Sequence, residues 1–285
     1  MSTKISVEGK MDAIQNIFLH VQDVFFESPE WKRHVAELES TDIEFRSIAY
    51  ESASMSIALE DLKQGNQFTN WLQFLNDAAL AHATQVHVGL GWAFAQQLKN
   101  PIAYLAELNS MSRYRVLDGY GYYEGIFRRR RSIINHVKLA LEDSVASAAL
   151  DQGLGRSIWY LNKGIIDDAK NMIEAFAVER HKDLWRGLGI AIAYLGGCNE
   201  ETLRYIFSKT DLYKTQLATG AMMALVSRDS AKYISADTEL VCKIFCNKTA
   251  EQILELNYSI KSNLDLKSDD AYAKWIEAFE NSFSS

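Results

Sequence analysis

Four Gly-x-Gly triplets recur along the chain, Gly89-Leu-Gly91, Gly119-Tyr-Gly121, Gly153-Leu-Gly155 and Gly187-Leu-Gly189, and Ala218-Thr219-Gly220 reads as a degenerate fifth copy. The first glycines stand 30, 34 and 34 residues apart, a period that marks stacked helical units. A glycine inside a helix costs roughly 1 kcal/mol relative to alanine, so its repeated use requires a physical reason. Close approach of neighbouring helix backbones supplies one, and Gly89, Gly91, Gly119, Gly121, Gly153, Gly155, Gly187, Gly189 and Gly220 are read as helix-packing positions. Ala53-Ser54-Met55-Ser56 lies about one period before Gly89 and reads as a still weaker copy, which makes about six units.

Between the triplets, apolar residues recur at helical intervals over 68–80, 165–176 and 200–207, giving an ordinary amphipathic helix beside each helix rich in small residues. Gly164 and Gly196-Gly197 are placed like helix C-caps. Residues 1–40 hold one amphipathic helix (Ile14, Ile17, Phe18, Val21, Val24, Phe25) that ends at Ser28-Pro29, read as a cap on the first repeat. Residues 41–285 read as a single helical-repeat domain. The chain has only two prolines, and no Asn-Gly or Pro-Gly pair separates its apolar runs, which argues against a hairpin-rich fold. The expected fold is all-α, an α-α superhelix or solenoid-like array of helix pairs with about 30–34 residues per unit. The placing of large and small residues fits the tetratricopeptide consensus poorly.

A net charge of −7 and a pI near 5.5 give no general attraction to phosphate backbones or anionic lipid, so nucleic acid is not an expected partner. The most apolar stretch, 187–197, has 11 residues against the ~20 that span a bilayer, and no membrane span is expected. Three cysteines make no paired disulfide framework and the N-terminus lacks the apolar run of a signal peptide, so the chain reads as cytoplasmic. In Gly119-Tyr-Gly121 the third glycine of a dinucleotide loop would fall at Glu124, and no apolar strand precedes it. His82 and His87 project far apart on an ideal helix, and Cys242 and Cys246 lack neighbouring ligands. No Gly-x-Ser-x-Gly elbow, His-Glu-x-x-His pair or Walker loop is present. No cofactor and no metal are expected.

Aligned on the second glycine, the repeats expose two misfits. The third position after it reads Phe94, Glu124, Ile158 and Ile192, and the first reads Trp92, Tyr122, Arg156 and Ile190. Glu124 and Arg156 are thus charges in columns of bulky, mainly apolar groups, where an unpaired charge costs several kcal/mol. Tyr120, Glu124 and Arg128 share one helical face, and Asp118 and Tyr122 form a neighbouring pair. Two readings follow: a stabilising network at a repeat junction, or a polar site in an apolar groove. In the second, Glu124 is the candidate catalytic acid or base, with Tyr120, Tyr122 and Arg156 orienting the substrate. The basic run from Arg128 to Arg131 spreads around a helix, and some of its members are expected to pair with Asp or Glu.

Several ordered blocks carry a family resemblance: Phe45-Arg-Ser-Ile-Ala-Tyr-Glu51, Val86-His-Val-Gly-Leu-Gly-Trp-Ala93, Asp118-Gly-Tyr-Gly-Tyr-Tyr-Glu-Gly125, Asp151-Gln-Gly-Leu-Gly-Arg-Ser157 and Asp183-Leu-Trp-Arg-Gly-Leu-Gly189. From about residue 40 to the C-terminus, including Thr238-Glu-Leu-Val-Cys242 and Tyr272-Ala-Lys-Trp-Ile276, the chain resembles the enediyne biosynthesis proteins. That family has no known biochemical function and is encoded beside enediyne polyketide synthases. The resemblance implies an accessory role in making a polyketide product, with no reaction or cofactor to carry over. Asp151 and Trp185, within two of the blocks, join the polar-site candidates. The expected function is binding of an apolar polyene-like intermediate, a partner biosynthetic protein, or both; a cyclase or isomerase and a purely structural scaffold are the alternatives.

Overall fold

The computed structural model describes residues 5–65, 67–97 and 99–283. The first four residues of the N-terminal segment and the last two of the 41–285 domain lie outside these bounds. All regular structure among the described residues is helical. The first part of the chain forms α1 (Val7–Glu27), α2 (Val35–Ser40), α3 (Arg46–Gln64), α4 (Thr69–Asp77), α5 (Ala83–Gln96), α6 (Ile102–Leu105) and α7 (Ser110–Phe127). The rest forms α8 (Ser144–Leu161), α9 (Ile166–Glu174), α10 (Val178–Leu195), α11 (Glu200–Lys209), α12 (Lys214–Ser230), α13 (Ala236–Phe245), α14 (Ala250–Ser262) and α15 (Ala271–Asn281).

Helices α3, α5, α7, α8, α10 and α12 form an inner row in which each packs on the next. They run parallel. Ser47 meets His82 at 2.8 Å beside the N-terminal ends of α3 and α5, and Arg128, after α7, donates to the carbonyl of Gln96 at the end of α5 at 3.1 Å.

The triplets build this row. Two steps along a helix turn it by about 200°, so the two glycines of one triplet face opposite neighbours. Gly119 abuts the backbone of Val88 on α5, whereas Gly121 abuts Leu150 on α8. A Cβ on Gly121 would lie 2.9 Å from the Leu150 carbonyl carbon, well inside the ~3.5–4.0 Å of ordinary carbon contact. Gly153 and Gly155 repeat the pattern against Asp118 and Leu184, and Gly187 and Gly189 against Gln152 and Leu217.

In each pair the glycine meets the carbonyl three residues before its partner, and this rule corrects two registers. Gly220 abuts Arg186, three residues before Gly189, so it holds the first place of its triplet. The fifth copy is therefore Gly220-Ala221-Met222, not Ala218-Thr219-Gly220. Gly89 abuts Glu51 and Ser54, which makes Ser52-Ala53-Ser54 the copy in α3, one residue earlier than the 53–56 window. Its serines bond across the close contacts, Ser52 to the carbonyl of Phe18 at 2.7 Å and Ser54 to that of Val86 at 2.5 Å.

The amphipathic segments become α4, α9 and α11 on the outside of the row. Pairing is uneven: only the short α6 separates α5 from α7, and a link over 128–143 with a single π-helical turn at Arg130–Ile134 joins α7 to α8. Gly196 caps α10 with φ of 73°. Gly164, with φ of 79°, sits two residues beyond the cap of α8, Asn162.

Helix α1 does more than cap the first repeat. Phe18, Val21 and Phe25 bury against the common core, while its first turn meets Gly164 and Gly197, beyond α8 and α10. Lys10 is buried and bonds Asp237 at 2.7 Å as well as Glu44. The far end of the row also returns to its start, since Ser227 on α12 donates to Gln85 on α5 at 2.9 Å and Arg228 reaches the Glu44 carbonyl at 3.3 Å. The superhelix thereby curls around an interior, which Tyr272 and Trp275 of α15 border together with residues of α5, α7, α8, α10 and α12.

Candidate functional site

The corrected register shows which residues face that interior. One position after each triplet stand Met55, Trp92, Tyr122, Arg156, Ile190 and Met223, and all of them line its cavities. One turn earlier stand Glu51, Val88, Asp118 and Gln152, which do the same.

The larger cavity has a volume of about 570 Å³. Its inner wall is largely buried and rich in aromatic rings: Ile48, Glu51 and Met55 from α3, Trp92 from α5, Tyr122 and the half-buried Ile126 from α7, Arg156 and the half-buried Tyr160 from α8, and Tyr194 from α10. Met11, Ile14 and Phe18 of α1 supply another wall, with the Phe18 and Trp92 rings 4.8 Å apart and Trp92 edge-on to Tyr122 at 5.0 Å. Exposed Leu19 and Phe127 and the charged Glu8, Asp12 and Lys163 surround the mouth, where Lys163 pairs with Glu8 at 3.1 Å.

A polar relay underlies the inner wall. Arg156 donates to Asp118, whose other oxygen accepts from Gln152 at 2.7 Å. Gln152 in turn accepts from Arg186 at 2.8 Å and lies 3.2 Å from the Tyr272 hydroxyl. The Arg156 guanidinium also rests on the face of Tyr122, 4.5 Å from the ring centre, a cation–π contact in a desolvated setting. Burial opposes the charge of Arg156, but Asp118 and Glu51 outweigh it and raise the guanidinium pKa.

Glu51 is the exception in this network. It is 2% exposed, and its Oε2 has no hydrogen-bond partner. Burial lifts its pKa to about 8, a rise that Arg156 opposes and Asp118 reinforces. The carboxyl is therefore a neutral acid at neutral pH. Trp92 Nε1 is buried without a partner as well. Burial also pushes up the phenols of Tyr122, Tyr194 and Tyr160, the last to about 12, so these hydroxyls keep their protons. The inner wall thus offers donors: guanidinium, phenols, indole N–H and a protonated carboxyl.

Of the residues singled out from sequence, Asp118, Tyr122 and Arg156 come together here. Tyr120, Glu124 and Arg128 do not. Residues 122 and 124 point about 200° apart on a helix, so Glu124 faces outward, where it accepts from Arg128 at 2.6 Å and Arg131 at 2.8 Å. With Tyr120 it borders only a void of about 20 Å³. The physical reason lies in the link after α7: where other repeats place an apolar outer helix, this one places Arg128, Arg131 and Ser132, whose hydroxyl donates to the Glu124 carbonyl at 2.8 Å. Glu124 and Arg156 neither face one another nor share the cavity.

Asp151 pairs with Arg180 and, at 2.9 Å, with Lys138, and Trp185 stacks on Tyr213. Neither lines the aromatic cavity. His82 stacks on Tyr50 and His87 bonds the Ala83 carbonyl, while Cys242 and Cys246 lie buried against the carbonyls of Ala221 and Ala218. Among the described residues, no three His, Cys, Asp or Glu side chains converge as metal ligands. Sequence reasoning missed Glu51, Tyr160 and Tyr194. Glu51 stands in the copy that has serines for glycines, so only the Ser52-x-Ser54 spacing could have put it in register.

Fold and site define a class: an all-α superhelix curled around an aromatic cavity that contains a neutral buried carboxyl. No helix among the described residues is long and apolar enough to cross a membrane. The chain belongs to the family described as Protein of unknown function (DUF1702), whose model matches residues 2–283. That match takes in α1, which the block resemblance leaves out. No curated protein and no solved structure matches the chain.

Proposed function

We propose that the chain binds an elongated apolar small molecule, of polyene or related polyketide type, as an accessory protein of a natural-product pathway. The aromatic cavity carries this reading. Its volume of about 570 Å³ falls within the ~300–1,000 Å³ usual for small-molecule sites. At ~30 Å³ for each water-sized group, it has room for on the order of twenty carbon atoms. Flat aromatic walls and Met55 suit a rigid unsaturated chain, and each Å² of apolar ligand surface removed from water contributes roughly 25 cal/mol. The pathway assignment comes from the block resemblance alone.

Native mass spectrometry of the chain purified from its own host tests the proposal. A bound molecule should be released on denaturation and be missing from a cavity-filling Met55→Trp variant. Empty protein from the host, together with no thermal shift from apolar probes, would remove the reading.

A second reading, a cyclase or isomerase, draws on Glu51 rather than Glu124. A cavity carboxyl that is protonated near neutral pH can deliver a proton and take it back, whereas Glu124 is held between two arginines.

A further inference from the structure

We propose that the inner wall of the cavity recognises a neutral carbonyl oxygen, so that the ligand is an apolar chain bearing a ketone, ester or thioester, with Glu51 as its hydrogen-bond donor. This rests on the cavity being a ligand site and adds the chemistry of the group it holds.

The argument begins with what the wall lacks. Glu51 Oε2 and Trp92 Nε1 are buried polar atoms without partners, and such atoms normally cost free energy until something bonds them. Both belong to residues that line the cavity, beside the Arg156 guanidinium and the hydroxyls of Tyr122, Tyr160 and Tyr194, while the side-chain amides of Gln15, Gln22 and Gln96 border the same space. A ligand that satisfies the protonated Glu51 carboxyl and the Trp92 N–H must therefore supply an acceptor.

Charge then narrows the acceptor. The positive charge of Arg156 is already neutralised by Asp118, so a ligand carboxylate would add an uncompensated negative charge to a desolvated pocket. Glu51 is itself such a carboxylate, and the pocket keeps it protonated: burial raises its pKa to about 8 despite the nearby guanidinium. A cation fares no better among donors. What remains is a neutral oxygen acceptor, and among these a carbonyl accepts through two lone pairs without bringing a donor of its own, as a hydroxyl would.

The charged and titratable groups around Glu51 are Arg156 and Tyr160 from α8, Asp118 and Tyr122 from α7, and Tyr194 from α10. Glu8, Asp12 and Lys163 stand at the mouth, and α5 contributes only the uncharged Trp92 and Gln96. Burial moves the three phenols upward, away from the range in which Glu51 loses its proton.

The test uses three matched probes, 2-undecanone, undecane and undecanoate, with full-length protein and with Glu51→Leu and Glu51→Gln variants. At pH 6 the ketone should bind wild type more tightly than either other probe, and its carbonyl stretch should move to lower wavenumber. Raising the pH through about 8 should reverse that shift. Glu51→Leu should abolish the shift at every pH and weaken ketone binding roughly tenfold, the effect of one lost hydrogen bond. Glu51→Gln, which keeps an N–H donor, should retain the shift without its pH dependence. Equal binding of all three probes with an unshifted carbonyl would overturn the carbonyl assignment and leave the cavity reading standing. Preference for undecanoate would overturn it in favour of an anion site. Failure of every probe to bind wild type would overturn both inferences, and the head-group comparison needs no variant to fold.

Discussion

Arg156 on α8 and Asp118 on α7 form a buried ion pair that joins two neighbouring inner helices, while Glu51 on α3, near the same guanidinium, has no hydrogen bond at Oε2. Arg156 matters for stability and for the cavity alike, because the same guanidinium that ties the helices together also lines the cavity.

Arg156→Met should therefore lower stability by about 3–5 kcal/mol, the usual consequence of stranding one member of a buried pair. Adding Asp118→Leu should recover part of that loss, although Gln152 then loses its acceptor. Denaturant midpoints of the two single variants and the double variant measure the coupling. Strictly additive losses would show that the pair contributes nothing beyond its separate members.

The glycine contacts predict a sign. Alanine in mid-helix ordinarily gains roughly 1 kcal/mol over glycine. In Gly121→Ala and Gly155→Ala the new methyl would instead overlap the backbone of Leu150 and Leu184, and such overpacking costs about 1–3 kcal/mol. Both variants should unfold at lower denaturant concentration than wild type. Any stabilisation would mean that the row can open at those points without loss.

Stability should fall as pH rises from about 4.5 to about 8, over the range in which Glu51 is protonated in the folded chain and ionised in the unfolded one. The sign follows from linkage: the folded state binds the extra proton, so raising pH favours unfolding through that window, and the loss levels off above it. The total is on the order of a few kcal/mol. Glu51→Gln should flatten this slope, which pH-dependent urea titrations of both proteins would reveal.

Glu124→Gln should separate stability from ligand binding. Losing charge-assisted bonds to Arg128 and Arg131 should cost about 1.5–3 kcal/mol. Ligand retention should remain that of wild type, because Glu124 lies outside the cavity. A variant that keeps its stability but loses its ligand would return Glu124 to the role first considered for it.

The triplet spacing by itself determined the helical array, since the period of a repeated unit and the demand for small residues at close contacts are local properties of the chain. Alignment on the triplets also singled out Arg156, and helical spacing around Glu124 brought in Asp118 and Tyr122, which share a register with glycine-bearing copies. It misdirected attention to Glu124 because a charged residue in an apolar column looks the same whether a cavity or an arginine-bearing link covers it. Glu51 was out of register because α3 carries Ser52 and Ser54 in place of glycines. The cavity was decided only by tertiary structure: Ser227 meets Gln85 across 142 residues and Lys10 meets Asp237 across 227. Closing the row around an interior depends on the small rotation between successive helices accumulating until distant segments meet, and no local pattern of residues encodes where that accumulation ends.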